Sequence, residues 1–182
     1  MSTSSRWIVT NDWLAAKLGS PDLVPVDGSF YLPAQKRDAA AEFLSGHIPG
    51  AVRFDLDAIS DHANPLPNML PSAEQFSRDV GALGIAETDT IVVYDGTGMF
   101  SSPRVWWTFR LFGAENVFVL EGGMPKWKAE GRPLETGASR RSAHAGTVMR
   151  NTETSTRRAC IRYQTILTGA GANPLETSRS AR

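Results

Sequence analysis

The chain has 182 residues, enough for one full α/β domain and a remainder but not for two full domains. A composition of 41% apolar and 9% aromatic residues is that of an ordinary globular protein and not of a disordered or membrane one, and no apolar run approaches the ~20 residues that span a bilayer. The formal net charge of zero hides two unlike parts. Residues 1–137 carry 11 Lys+Arg against 17 Asp+Glu, a balance of −6, and residues 138–182 carry 8 Arg against 2 Glu, a balance of +6.

In chain order, Thr10 or Asn11 caps a short helix over 12–18 that stops at Gly19. Residues 23–27 (Leu-Val-Pro-Val-Asp) form a short buried strand, residues 39–44 a brief helix ended by Gly46, and residues 52–55 the next strand. Ser72-Ala73-Glu74-Gln75 is a capping box for a helix running through Leu83, with hydroxyl and amide both satisfying orphan N–H groups. Ile91-Val92-Val93-Tyr94 is a continuous apolar run, the mark of a strand covered on both faces. Ser102-Pro103 opens a helix to Phe112, with Ser102 as N-cap and Gly113 as stop. A further strand at 117–120 precedes one or two helical turns over 125–130, ended by Gly131. The alternation predicts an α/β domain over 1–137 with a parallel sheet flanked by helices. Residues 138–160 read as a linker rich in Ser, Thr, Arg and Gly. A modest helical pattern returns at 161–167, and no internal repeat is visible.

The basic C-terminal part has one aromatic, Tyr163, and scattered arginines, so it reads as a solvated linker and not as a nucleic-acid surface. A single cysteine, Cys160, rules out an internal disulfide framework and fits a reducing compartment. The first residues lack the apolar core of a signal peptide, and a cytoplasmic location is the expectation. No nucleic acid, membrane, cofactor or metal enters this reading.

The run from Phe43 to Phe54, centred on Gly46-His47-Ile48-Pro49-Gly50-Ala51, resembles the F-x-x-x-H-I-P-G-A signature of the rhodanese-type sulfurtransferases. Further runs resemble the amino-terminal half of the two-domain thiosulfate and 3-mercaptopyruvate enzymes. They are Arg37-Asp38-Ala39, Phe54-Asp55-Leu56-Asp57, Leu66-Pro67-Asn68-Met69-Leu70-Pro71, residues 100–107 from Phe100-Ser101-Ser102 to Trp107, and Leu120-Glu121-Gly122-Gly123. The serines after Phe100 look more like the mercaptopyruvate branch. The resemblance implies a rhodanese fold whose catalytic cysteine belongs in a loop directly after a central strand. There the thiolate takes the outer sulfur of a small-molecule donor as a persulfide and passes it to cyanide or a thiol. The loop's N–H groups form a nest that holds the anion and lowers the thiol pKa. Here the strand 91–94 runs into Asp95, which an N–H nest can hold anionic but which cannot carry sulfur. The expectation is therefore a non-catalytic half.

Cys160 lacks the preceding strand and the following glycines and reads as an adventitious linker thiol. His47 in its turn reads as a loop brace, since no nucleophile stands beside it. By resemblance, Asp57 and the position of Asn68 belong to a relay with a serine of a second domain. Asn68 stands where that relay has a histidine, and an amide cannot accept its proton. Phe30 and Phe100 would line the wall of the interdomain cleft, while Trp106 and Trp107 read as core packing. Pro174-Leu175-Glu176-Thr177-Ser178-Arg179 resembles the start of a second domain over 161–182, with Arg179, and Arg182 beside it, as counterparts of the arginine that holds the donor's carboxylate or sulfonate. The reading is of a truncated two-domain enzyme, inactive alone and inclined to self-associate through its uncovered interdomain face. The alternative is a rhodanese-like binding module that uses the Asp95 loop to hold a protein partner.

Overall fold

A computed structural model describes residues 6–141. The positions expected to matter beyond Arg141, namely the helical pattern at 161–167, Cys160, Arg179, Arg182 and the start of a second domain, lie outside the described residues. The elements are β1 (Ile8–Val9), α1 (Asn11–Ala15), β2 (Leu23–Asp27), a 3₁₀ turn (Pro33–Gln35), α2 (Ala39–Ser45), β3 (Val52–Arg53), α3 (Ala73–Ala82), β4 (Thr90–Tyr94), α4 (Ser102–Leu111), β5 (Val117–Leu120) and α5 (Gly123–Ala129). The five strands form one wholly parallel sheet in the order β1-β5-β4-β2-β3.

Alternation along β4 divides the core. Ile91 and Val93 point to one face, where Val105 and Phe109 of α4 and Phe76 and Val80 of α3 cover them. Val92 and Tyr94 point to the other, under Leu14 of α1, Phe43 of α2 and Trp127 of α5. Phe54, Phe76, Phe109 and Phe112 interlock on the first face, with ring centroids 5.5 Å apart for Phe54–Phe109 and Phe76–Phe109 and 4.2 Å for Phe76–Phe112. Burying each such ring contributes about 1.5–3 kcal/mol, so these layers dominate the stability of the unit. No helix among the described residues is long and apolar enough to cross a membrane.

The strand order places a functional position. From β2 the chain moves outward to β3, then returns to β4 on β2's other side, so β2 and β4 are neighbours at the point where the order reverses. In open parallel sheets the crevice beyond the carboxyl ends of such strands is where ligands bind. The loops after Asp27 and after Tyr94 meet there.

Several local expectations are refined. β1 is a two-residue edge strand with too short a pattern to announce itself, and it is held by pairing Ile8 with Val119 and Val9 with Leu120. The strand at 52–55 is only Val52–Arg53, because Asp55 turns the chain by accepting from the backbone N–H groups of Asp57 and Ala58. Ser72 caps α3 as expected, accepting from the Gln75 N–H at 3.2 Å. The Gln75 amide does not close the box; it donates to the Ser60 carbonyl at 2.9 Å, tying α3 to the preceding loop. α5 begins at Gly123, two residues before Pro125. Ser102 is the first residue of α4 and not its cap, and Ser101 in the N-cap position makes no side-chain cap bond. The capping of α4 comes from elsewhere.

Candidate functional site

The cap of α4 is the Asp95 carboxylate. Asp95 follows β4 directly and is fully buried. One oxygen, Oδ1, accepts from the backbone N–H groups of Thr97 (2.9 Å), Gly98 (2.7 Å) and Met99 (3.1 Å) and from the Thr97 hydroxyl (3.0 Å). The other, Oδ2, accepts from the N–H groups of Ser101 and Ser102, both at 2.9 Å. Five backbone donors thus converge on one side chain, at the positive end of the α4 dipole. Burial alone would raise the pKa of this carboxyl. The bonds from Ser102, Thr97 and Met99 outweigh burial and hold it at about 2. The loop is a nest with its own anion inside.

Three close approaches fix the loop from outside. A Cβ on Gly96 would lie 2.0 Å from the Tyr31 hydroxyl oxygen. A Cβ on Gly123 would lie 2.6 Å from the Asp95 carbonyl oxygen, and the Met124 N–H donates to that same oxygen at 3.0 Å. Gly98 packs against the Gly122 carbonyl. Gly123 is therefore glycine because the start of α5 presses on the Asp95 loop, whereas Gly122, at φ 71°, would set its Cβ 2.6 Å from Lys126. Met99 sits at φ 100°, a conformation L residues rarely adopt, and the Asp95 bond to its N–H holds it there.

Sequence reasoning missed the brace on the β2 side. The Ser29 hydroxyl accepts from the Gly96 N–H at 2.8 Å, and the Ser29 N–H donates to Asp27 at 2.9 Å. Burial pushes the Asp27 carboxyl up, opposed by bonds from Ser29 and Tyr94 and by the charge of Arg53. The Tyr31 hydroxyl donates to Glu42 at 2.7 Å, and Arg37 grips Glu42 through two nitrogens while lying 3.9 Å over the Tyr31 ring. The Arg37 hydrogen bonds, with the Tyr31 bond beside them, lower the Glu42 pKa. The only sequence hint was polarity directly after a buried strand; which groups meet is decided by the adjacency of β2 and β4.

Of the residues singled out, Phe30 and Phe100 stand at this loop. The Phe30 N–H donates to the Ser101 hydroxyl at 3.2 Å. Phe30 is half-buried, and Phe100 is 56% exposed, with Leu32 (50%) and Met99 (36%) also among the exposed apolar side chains. Asn68 is half-buried at φ 55°, and its carbonyl accepts from the Arg104 guanidinium at 2.9 Å, which links its loop to α4. Asp57 is exposed, in the turn formed by Asp55. Arg104 is engaged by Asn68 and lies 4.8 Å over the Trp107 ring, and burial lowers its pKa. Trp106 packs against the core and donates from Nε1 to the Val117 carbonyl. His47 is buried, donates from Nδ1 to the Phe43 carbonyl at 2.8 Å and stacks on the Phe43 ring at 4.0 Å, which is a bracing role. Among the described residues no group of His, Cys, Asp and Glu is arranged to hold a metal ion.

Residues 10–130 match the rhodanese-like domain family. The chain belongs to that family. Its rhodanese domain is 50% identical over 137 residues to thiosulfate/3-mercaptopyruvate sulfurtransferase 1, mitochondrial, of Arabidopsis thaliana, covering 75% of this chain and 36% of that protein. It is 44% identical over 136 residues to the 3-mercaptopyruvate sulfurtransferase of Escherichia coli K12, covering 74% and 48%. The rhodanese fold matches the crystal structure of SseA from Escherichia coli with a TM-score of 0.76 and 41% identity, over 82% of this chain and 57% of that one. Tum1 from Saccharomyces cerevisiae matches with a TM-score of 0.72 and 29% identity, over 89% and 56%. The chain spans about a third to a half of the length of these curated relatives.

Proposed function

We propose that this rhodanese domain is the non-catalytic half of a sulfurtransferase of the 3-mercaptopyruvate or thiosulfate type. The carrying observation is Asp95. Its carboxylate fills the nest in the loop after the central strand, where the family's chemistry requires a thiolate. Both oxygens are saturated by N–H donors, and the group stays ionised at every working pH. It has neither a proton to give nor a lone pair free to take one, and carboxylate oxygen does not carry sulfane sulfur. Sulfur transfer from the donor to cyanide or a thiol belongs, in this reading, to a second domain bearing the cysteine loop. That domain packs on the face around Phe30 and Phe100, and Arg179 with Arg182 holds the donor's carboxylate or sulfonate. Asp57 contributes at most a polar wall, with Asn68 unable to relay a proton. The cysteine chemistry suits a reducing compartment such as the cytoplasm.

The exposure of Met99 and Phe100 on the loop favours a second reading, a binding module that docks a protein partner. A coupled sulfurtransferase assay on the purified chain separates catalysis from both. With 3-mercaptopyruvate or thiosulfate as donor and cyanide as acceptor, turnover stays at background. Turnover that disappears on Cys160→Ser would overturn the proposal, since the linker thiol would then carry the sulfur.

A further inference from the structure

Residues 133–141, which follow α5, stay bound to the domain. The Pro133 carbonyl accepts from Trp127 Nε1 at 2.9 Å. Glu135 exchanges two backbone bonds with His47, at 2.9 and 2.8 Å, and its carboxylate accepts from the Gly50 N–H at 2.8 Å. The Gly137 N–H donates to the Leu44 carbonyl at 2.8 Å. The segment ends in Arg141, whose Nε donates to the Gly84 carbonyl (2.6 Å), Nη1 to the Pro21 carbonyl (3.5 Å) and Nη2 to Asp89 (2.7 Å). Asp89 also accepts from the Ala86 N–H at 2.8 Å, so the turn before β4 is shaped to present its carboxylate.

Exposure separates this arginine from its neighbour. The Arg140 side chain is 86% exposed beside Glu135, the kind of surface pair that holds little. The Arg141 and Asp89 side chains are only 16% and 7% exposed, and the guanidinium divides its donors among three acceptors. A desolvated, multiply bonded pair of this kind is costly to break from one side.

Position gives the lock its meaning. Pro21, Gly84 and Asp89 all precede β2 or β4 and stand at the amino ends of these parallel strands. The Asp95 loop lies at their carboxyl ends, about 17 Å away along a five-residue strand. The geometry points to a latch: residues 133–141 are a strap, and Arg141–Asp89 locks the chain's exit at the end of the sheet opposite the Asp95 loop. Residue 141 is thereby held at the end of the sheet opposite the loop face. Unlocking frees the strap's nine residues, adding up to about 30 Å of reach and lowering the effective concentration of anything tethered beyond it.

Hydrogen exchange of the full chain, read by mass spectrometry, tests it. In the unsubstituted protein the Glu135 and Gly137 amides are protected. Arg141→Gln raises their exchange about tenfold or more and leaves the β4 amides of residues 91–94 unchanged, the signature of local opening. Tryptic cleavage after Arg141 gives a second readout, because the protease must take that side chain into its own pocket; Asp89→Asn accelerates this cut about tenfold. Unchanged exchange in Arg141→Gln overturns the latch, as does cleavage after Arg141 that is equally fast with and without Asp89. A rise in β4 exchange alongside the strap overturns it too, for the pair would then be part of the global fold. If Asp89→Asn fails to fold through loss of the Ala86 bond, Arg141→Gln decides alone.

Discussion

Replacing Asp95 by alanine tests whether this carboxylate, and not a serine, organises the loop and starts α4. The substitution removes the acceptor for five backbone N–H groups. The loop donors of Thr97, Gly98 and Met99 are near enough to the surface to recover water. Those of Ser101 and Ser102 belong to buried residues, and each costs about 1–3 kcal/mol when left unpaired. Asp95→Ala should therefore cost on the order of 2–6 kcal/mol and lower the Tm by roughly 10 °C, a large share of a typical stability.

Asp95→Asn separates charge from shape. A fall in pKa from 3.8 to about 2 corresponds to ~2 kcal/mol of preference for the ionised form, and solvent at the loop's edge leaves on the order of 1–2 kcal/mol of it. The sign follows from a depressed carboxyl. Its contribution is complete above the unfolded pKa near 4 and disappears as pH falls through 2. Urea unfolding followed by circular dichroism should show Asp95→Asn less stable than the parent at pH 7, with the gap closing between pH 4 and 2. A gap constant across that range, or an Asp95→Ala protein within 0.5 kcal/mol of the parent by the usual scatter of surface substitutions, would refute the reasoning.

Two further outcomes follow from the same loop. Gly123→Ala sets a Cβ 2.6 Å from the Asp95 carbonyl at φ 53° and should cost ~3 kcal/mol or more, whereas Gly131→Ala, at φ 66° with nothing within 4 Å, should cost only the ~1–2 kcal/mol of the conformation itself; paired urea melts check the contrast. The apolar residues around the loop should make the chain self-associate and bind a hydrophobic dye, and Phe100→Ser should reduce both in size-exclusion chromatography and fluorescence titration; a monomeric, dye-silent parent would count against an uncovered docking face.

Four of the five strands and most helix starts were legible because they depend on local pattern, which the two residues of β1 are too few to show. The run 91–94 is apolar throughout because β4 is covered on both faces, and Ser72 sits where α3 needs its cap. The central site residue was legible as well, since Asp95 follows that strand immediately. What local pattern does not contain is the partner. Ser102-Pro103 has the form of a helix start, yet the cap comes from a carboxylate seven residues upstream, reached only because the loop folds back on itself. Gln75 has the form of a capping-box residue, but the Ser60 carbonyl competes for its amide. Arg141 belongs by composition to a solvated basic stretch, and only the turn before β4, with its buried Asp89, turns it into a clamp.

The choice of occupant decides what the loop can do. A nest of convergent N–H groups stabilises any anion, whether it is a reacting group or a fixed one. A reacting anion must leave a lone pair facing the cleft. Asp95 leaves none, because its two oxygens divide five backbone donors and a hydroxyl between them. What it gains is rigidity: Met99 is held at a positive φ, Ser101 is fixed so that its hydroxyl accepts from Phe30, and α4 starts at a defined point. The strain stored at Met99 is retained only while those bonds persist. The Asp95 bonds thus fix the outer surface of the loop, and in the proposed reading that surface, carrying Met99 and Phe100, is the part of the site left to act on another molecule.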